Sequence, residues 1–111
     1  MAGESRLRSL FKDGRRVGLG GEGVLRTTGR EEEARAVLEA AYQAGIRYFD
    51  SAPAYAGSES YQGRFWTHYP DRRGATFQAT KSAKRDAAGA RQELSRSLSR
   101  LGRDHLGLWQ M

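Results

Sequence analysis

A chain of 111 residues with 38% hydrophobic and 29% charged residues has room for one modest core. With no cysteine and two histidines it excludes disulfide and thiolate chemistry and leaves a zinc site almost without ligands. No apolar run nears the roughly 18 residues of a membrane helix, Met1 to Lys12 lacks the apolar segment of a signal peptide, and the arginines behind the net charge of +6 are scattered; the expectation is a cytoplasmic protein with no membrane and no nucleic-acid partner.

The first elements expected are two short extended pieces between Arg6 and Gly20, joined by a turn at Lys12-Asp13-Gly14. The glycine-rich stretch GLGGEG, at 18 to 23, follows. Thr28 and Glu31 stand at capping-box spacing and predict a helix whose buried face carries Ala34, Val37, Leu38 and Ala41. Gly45 is placed to end it in the left-handed conformation. Ile46 to Phe49 then reads as a strand ending at Asp50.

The loop SAPAYAG leads to a second helix, with Ser58 as its cap and Tyr69 near its end, closed by PDRRG. Phe65, Trp66 and Tyr69 are expected to pack that helix. Ala75 to Ala79 predicts a third strand that delivers Thr80 and Lys81. Asp86 is a suitable cap for a third helix, with Ala87, Ala90, Leu94, Leu98 and Leu101 on its apolar side and Gly102 as its stop. Leu106 to Met111 reads as a fourth, buried strand with Trp109 in the core. His68 and His105 are expected at the surface, as are the helix charges at 31–33 and 96–100.

Strands alternating with helices of this length imply an α/β fold with a parallel sheet. Two constellations could carry chemistry there. GLGGEG has the spacing of a dinucleotide-binding motif, and Asp50 would be its ribose-binding acid. That motif must itself open a helix, whereas the first capping signal comes only at Thr28. The other constellation is topological. Asp50 and Lys81 end neighbouring strands, and Tyr55 lies just beyond Asp50, so all three fall where parallel α/β proteins collect reactive groups.

The stretch from Leu10 to Met111 resembles the first part of the aldo-keto reductase family. The resemblance rests on the GIRYFD-x-A-x-x-Y-x-x-S-E block at 45–59, the ATK block at 79–81 and the SL-x-RLG-x-D segment at 97–104 leading to LWQ. It implies the N-terminal half of a (β/α)8 TIM barrel, about four parallel strands and three helices after an N-terminal hairpin, as one incomplete domain over 1–111. It also implies NADP(H) as cofactor, a small-molecule carbonyl substrate, and reduction of aldehydes or ketones. Asp50, Tyr55 and Lys81 match three of the family's four catalytic positions; Gly20, Gly21 and Glu22, with Asp50 and Tyr55, would lie near the nicotinamide.

The chemistry agrees with those roles. The alkoxide left by hydride addition needs a proton, an ordinary tyrosine with a pKa near 10 holds its proton too tightly, and a lysine cation beside it favours the phenolate. The family's catalytic histidine would follow directly after Met111, so the expectation is a fragment, inactive alone. Gly107 replaces the family's usual aspartate and Gln62 its usual apolar residue, which implies that Gln62 faces the core and needs a hydrogen-bond partner there. The competing readings are a non-catalytic half-barrel assembly or binding module and a small Rossmann-type dinucleotide-binding module.

Overall fold

The computed structural model describes residues 17–111. Strand β1 (Gly18–Leu19) leads through a 3-10 turn at Gly23–Leu25 to helix α1 (Glu31–Gln43). Then come β2 (Tyr48–Asp50), α2 (Ser58–His68), a short α3 (Pro70–Gly74), β3 (Phe77–Lys81), α4 (Ala87–Leu101) and β4 (Leu108–Gln110). The strands form one sheet in the order β1-β2-β3-β4, each pair parallel. Every connection carries a helix, and crossovers of one hand in an order that never reverses place the helices on one face. The result is the α/β half-barrel arrangement, with β1 and β4 as its edges among the described residues. The turn expected at Lys12-Asp13-Gly14 lies outside the described residues.

Several helix ends follow the sequence and others do not. Asp86 accepts a hydrogen bond from the Gly89 amide at 2.9 Å, and Gly102, with φ 63°, stops α4. Gly45, with φ 93°, ends α1 as expected. The start of α1 is different. Arg30 occupies the cap position without a side-chain cap, and its amide is taken by the Tyr61 hydroxyl at 3.0 Å. Thr28 caps nothing, because a tertiary donor–acceptor pair has replaced the local one. Ser58 likewise is the first residue of α2 rather than its cap, and its hydroxyl is committed to Ser51 and Gln62. PDRRG, which closes α2, itself forms the short α3, with Pro70 where its missing N–H costs nothing.

The core lies between the sheet and the helices. Leu25, Ala34, Leu38, Ala41, Phe49 and Phe65 are buried around Trp66, which meets Phe49 and Phe65 edge-on at 5.0 and 5.2 Å. Such ring pairs contribute about 0.5–1.5 kcal/mol each beyond the area they bury. In α4 only Ala90, Ser97 and Leu101 are buried, while Leu94 and Leu98 are half-buried and Ala87 is exposed.

The fourth strand departs from expectation. It covers only Leu108–Gln110, and Leu108 and Gln110 are exposed while Trp109 is half-buried. Among the described residues it is an edge strand with a neighbour on one side only, so pairing alone cannot bury it. Gly107 precedes it, and a Cβ there would lie 2.6 Å from the Phe77 ring. The missing side chain is what lets Phe77 lie flat over this point and stack on Tyr48 at 5.0 Å.

Candidate active site

Strand alternation divides the sheet between two faces. Phe49, Gln78 and Thr80 turn toward the helices, where they meet Trp66 and Glu59. Their neighbours Tyr48, Asp50, Phe77, Ala79 and Lys81 share the opposite face, because Tyr48 pairs with Phe77 and Asp50 with Ala79. Asp50 and Lys81 each stand at the carboxyl end of a strand, and the register brings both to one rim.

There the Lys81 ammonium donates to Asp50 Oδ2 at 2.8 Å and to the Ser51 carbonyl at 2.8 Å. It also stands 4.6 Å from the centre of the Tyr55 ring. Burial opposes its charge, but the hydrogen bond and charge of Asp50, and after them those of Tyr55, outweigh burial and raise the Lys81 pKa above the ordinary lysine value. The pair is 29% and 26% exposed, so solvent screens part of this attraction. Tyr48, on the same face, has its pKa raised by burial and then by the Asp50 carboxylate, which keeps its phenol protonated.

Tyr55 reaches the rim from the loop after β2. That loop is fixed by Tyr55 N–H to Ala52 O at 3.1 Å and Gly57 N–H to Thr27 O at 2.8 Å. Ala56 takes a φ of 49°, a left-handed conformation unusual for alanine. The Arg26 guanidinium lies over the Tyr55 ring at 4.9 Å and is paired with Glu22 at 2.8 Å. Tyr55 is therefore flanked by two cations.

The three residues expected at the site are thus brought together. The expected glycine loop divides. A Cβ on Gly21 would fall 2.9 Å from the Asp50 carbonyl and 3.0 Å from the Tyr55 ring, so Gly21 is a seat for the other two. Gly20 has open space around it and Glu22 is exposed. GLGGEG opens no α-helix: only the 3-10 turn at Gly23–Leu25 starts at its last glycine, and α1 begins at Glu31. A groove of about 350 Å³ between α1 and α2, lined by residues such as Glu31, Arg35, Phe65 and Tyr69, contains none of the site residues.

Sequence reading missed the layer beneath the rim. Gln62 and Gln78 are 0% and 1% exposed, yet every polar atom of their side chains is engaged. Gln62 donates to the Asp50 carbonyl at 3.0 Å, accepts from Gln78 at 3.0 Å, and so has the partner its position demands. Gln78 gave no signal, because a polar residue in a strand ordinarily reads as facing solvent. Glu59, 1% exposed, accepts from Thr80 at 2.7 Å and from Arg100 at 3.0 Å. Among the described residues no group of acids and histidines forms a metal site, and no helix is long and apolar enough to cross a membrane.

The Aldo/keto reductase family model matches residues 16–111. Two solved structures of a "putative aldo-keto reductase" from Pseudomonas aeruginosa align with TM-scores of 0.61 and 0.63 at 28% identity. The alignments cover 80% of this chain and 38% and 39% of theirs. A third structure, a "putative 2,5-diketo-D-gluconic acid reductase B", aligns with a TM-score of 0.65 at 26% identity, over 83% of this chain and 31% of its own. The chain thus spans less than two fifths of the length of these three structures. Among curated proteins none matches.

Proposed function

The chain belongs to the aldo-keto reductase family, and from that we propose that its rim residues are the proton-donating part of an NADPH-dependent oxidoreductase site that reduces aldehydes and ketones to alcohols. The observation that carries this reading is the position of the Lys81 ammonium, bonded to Asp50 and set against Tyr55.

Reduction of a carbonyl needs a proton at the oxygen. In this reading the Tyr55 hydroxyl supplies it, and the ammonium beside the ring stabilises the phenolate left behind. Asp50 holds the ammonium in place and keeps it charged, in agreement with the raised pKa of Lys81. Tyr48 stays protonated and does not compete as a base.

The chain's own residues fit a nicotinamide cofactor. Asp50 Oδ1 is buried without a hydrogen-bond partner among the described residues, an acceptor suited to a ribose hydroxyl. Asp50, Tyr55 and the Gly20, Gly21 and Glu22 loop would hold that end, with Gly20 leaving room for close approach. NADPH, when bound, supplies the hydride. The 111 residues by themselves are expected to turn over no substrate, because they span under two fifths of the length of the related barrels.

The test is Tyr55→Phe in a polypeptide where these residues are followed by the rest of a barrel. Turnover of aldehydes with NADPH should fall roughly 10²–10⁴-fold, the range for loss of a general acid, while NADPH affinity is retained. Unchanged turnover would remove Tyr55 from the role. A second reading, a half-barrel that assembles with another half, is favoured by one observation: the exposed large hydrophobics Val17, Leu108 and Met111 all lie at or beside the two sheet edges. Sedimentation of the chain separates the two, since only the second requires a stable dimer.

A further inference from the structure

We propose that Gln62 is a positioning residue for the Lys81–Asp50 pair, acting through a hydrogen-bond relay that begins at Trp66 and ends on the Asp50 carbonyl and on Ser58 Oγ, where the Ser51 hydroxyl also converges.

The direction of the relay is fixed at its origin. An indole N–H can only donate, and Trp66 donates to Gln78 Oε1 at 2.8 Å. Gln78 must therefore turn its amide nitrogen the other way, where it donates to Gln62 Oε1 at 3.0 Å. Gln62 is left with its own nitrogen facing the end of β2. That nitrogen donates to the Asp50 carbonyl at 3.0 Å and to Ser58 Oγ at 3.1 Å. Ser58 Oγ in turn accepts from Ser51 Oγ at 2.7 Å. Neither glutamine can flip without setting oxygen against oxygen in a site from which water is excluded.

Both acceptors of the Lys81 ammonium belong to the two residues that this relay grips. One is the Asp50 carboxylate and the other is the Ser51 carbonyl. β2 is only three residues long and ends at Asp50, so the ladder gives these residues little hold of its own. Beyond the strand one further bond, Ser51 N–H to Ala79 O at 3.1 Å, remains. The relay lies on the helix side of the sheet and Lys81 on the other, so Gln62 touches neither the ammonium nor the Tyr55 ring. It acts by setting where the two acceptors stand.

The inference rests on the proposed catalytic reading for its purpose but not for its test, which needs neither cofactor nor substrate. In the isotope-labelled chain the titration of the Lys81 side chain is followed by NMR at its ε-carbon and ζ-nitrogen. Gln62→Leu and the more isosteric Gln62→Met are compared with Leu38→Ala, which opens a cavity in the core around Trp66 but removes none of the relay's hydrogen-bonding groups. Both Gln62 variants should move the Lys81 midpoint down toward the ordinary lysine value, and Leu38→Ala should leave it in place. The proposal is overturned if Lys81 is unmoved in both Gln62 variants, or moves equally in Leu38→Ala. It is overturned as well if the wild-type lysine titrates as in an unfolded chain, or if both Gln62 variants unfold, since Gln62 would then serve the fold at large. Failure of Tyr55→Phe to lower turnover would strike the catalytic assignment and leave this result standing.

Discussion

Replacing Gly63 by alanine should be among the most damaging single-methyl changes this chain can suffer. Gly63 is buried in α2, and a Cβ there would lie 1.7 Å from the Arg100 carbonyl oxygen and 3.0 Å from the Leu101 carbonyl carbon in α4. A relaxed contact needs about 3.5 Å, so the helices would have to separate by well over 1 Å. Both obstructing atoms are backbone, so no side chain can swing aside. Overpacking of this kind costs about 1–3 kcal/mol and occasionally more, and here the upper end applies because the shift propagates along both helices. It would strain the Arg100–Glu59 pair at 3.0 Å as well. For a domain of this size about 3 kcal/mol lowers the melting midpoint by roughly 12–24 °C. Gly74→Ala is the control: nothing lies within 4 Å of the added methyl and φ there is not positive, so it should be neutral or gain up to about 1 kcal/mol. Thermal and urea unfolding followed by circular dichroism measures both. A Gly63→Ala midpoint within about 2 °C of wild type, or equal losses in the two variants, would refute the close helix crossing.

Two further outcomes follow from the rim. Lys81 has a raised pKa in the folded chain, so its contribution to stability is fully present below the ordinary lysine value of 10.5 and is lost as the pH rises through the higher folded value. The difference in melting midpoint between wild type and Lys81→Met should therefore hold steady to about pH 10 and shrink above it; a difference that grows there would contradict the assignment. Ala56→Gly should stabilise the chain by about 0.5–1 kcal/mol, since relief of the left-handed alanine at φ 49° exceeds the entropy that glycine adds to the unfolded state. Urea denaturation tests it, and destabilisation would mean that the loop at Tyr55 is not held in that conformation.

The strand–helix alternation, the Asp86 and Gly102 ends of α4 and the strand-end positions of Asp50 and Lys81 could all be read from the sequence, because each is set by local chemistry or by a short period. So could the family, since its motifs are contiguous blocks. Local signals failed where a partner distant in sequence took over. Tyr61 displaced Thr28 at the start of α1, and the Ser58 hydroxyl went to Ser51 instead of the helix end. The buried fourth strand failed for a related reason: Leu106 to Met111 is apolar enough for a core, but burial also requires neighbours on both sides, and among the described residues Leu108 has them on one. At the rim itself, sequence alone named Asp50, Tyr55 and Lys81 and placed them at neighbouring strand ends. Only the tertiary structure decided that Lys81 also bonds the Ser51 carbonyl, and that two buried glutamines lie beneath the pair. Spacing along a chain fixes which residues reach a rim, but the orientation of an amide is fixed by what it faces, and that is known only once the helices are laid on the sheet.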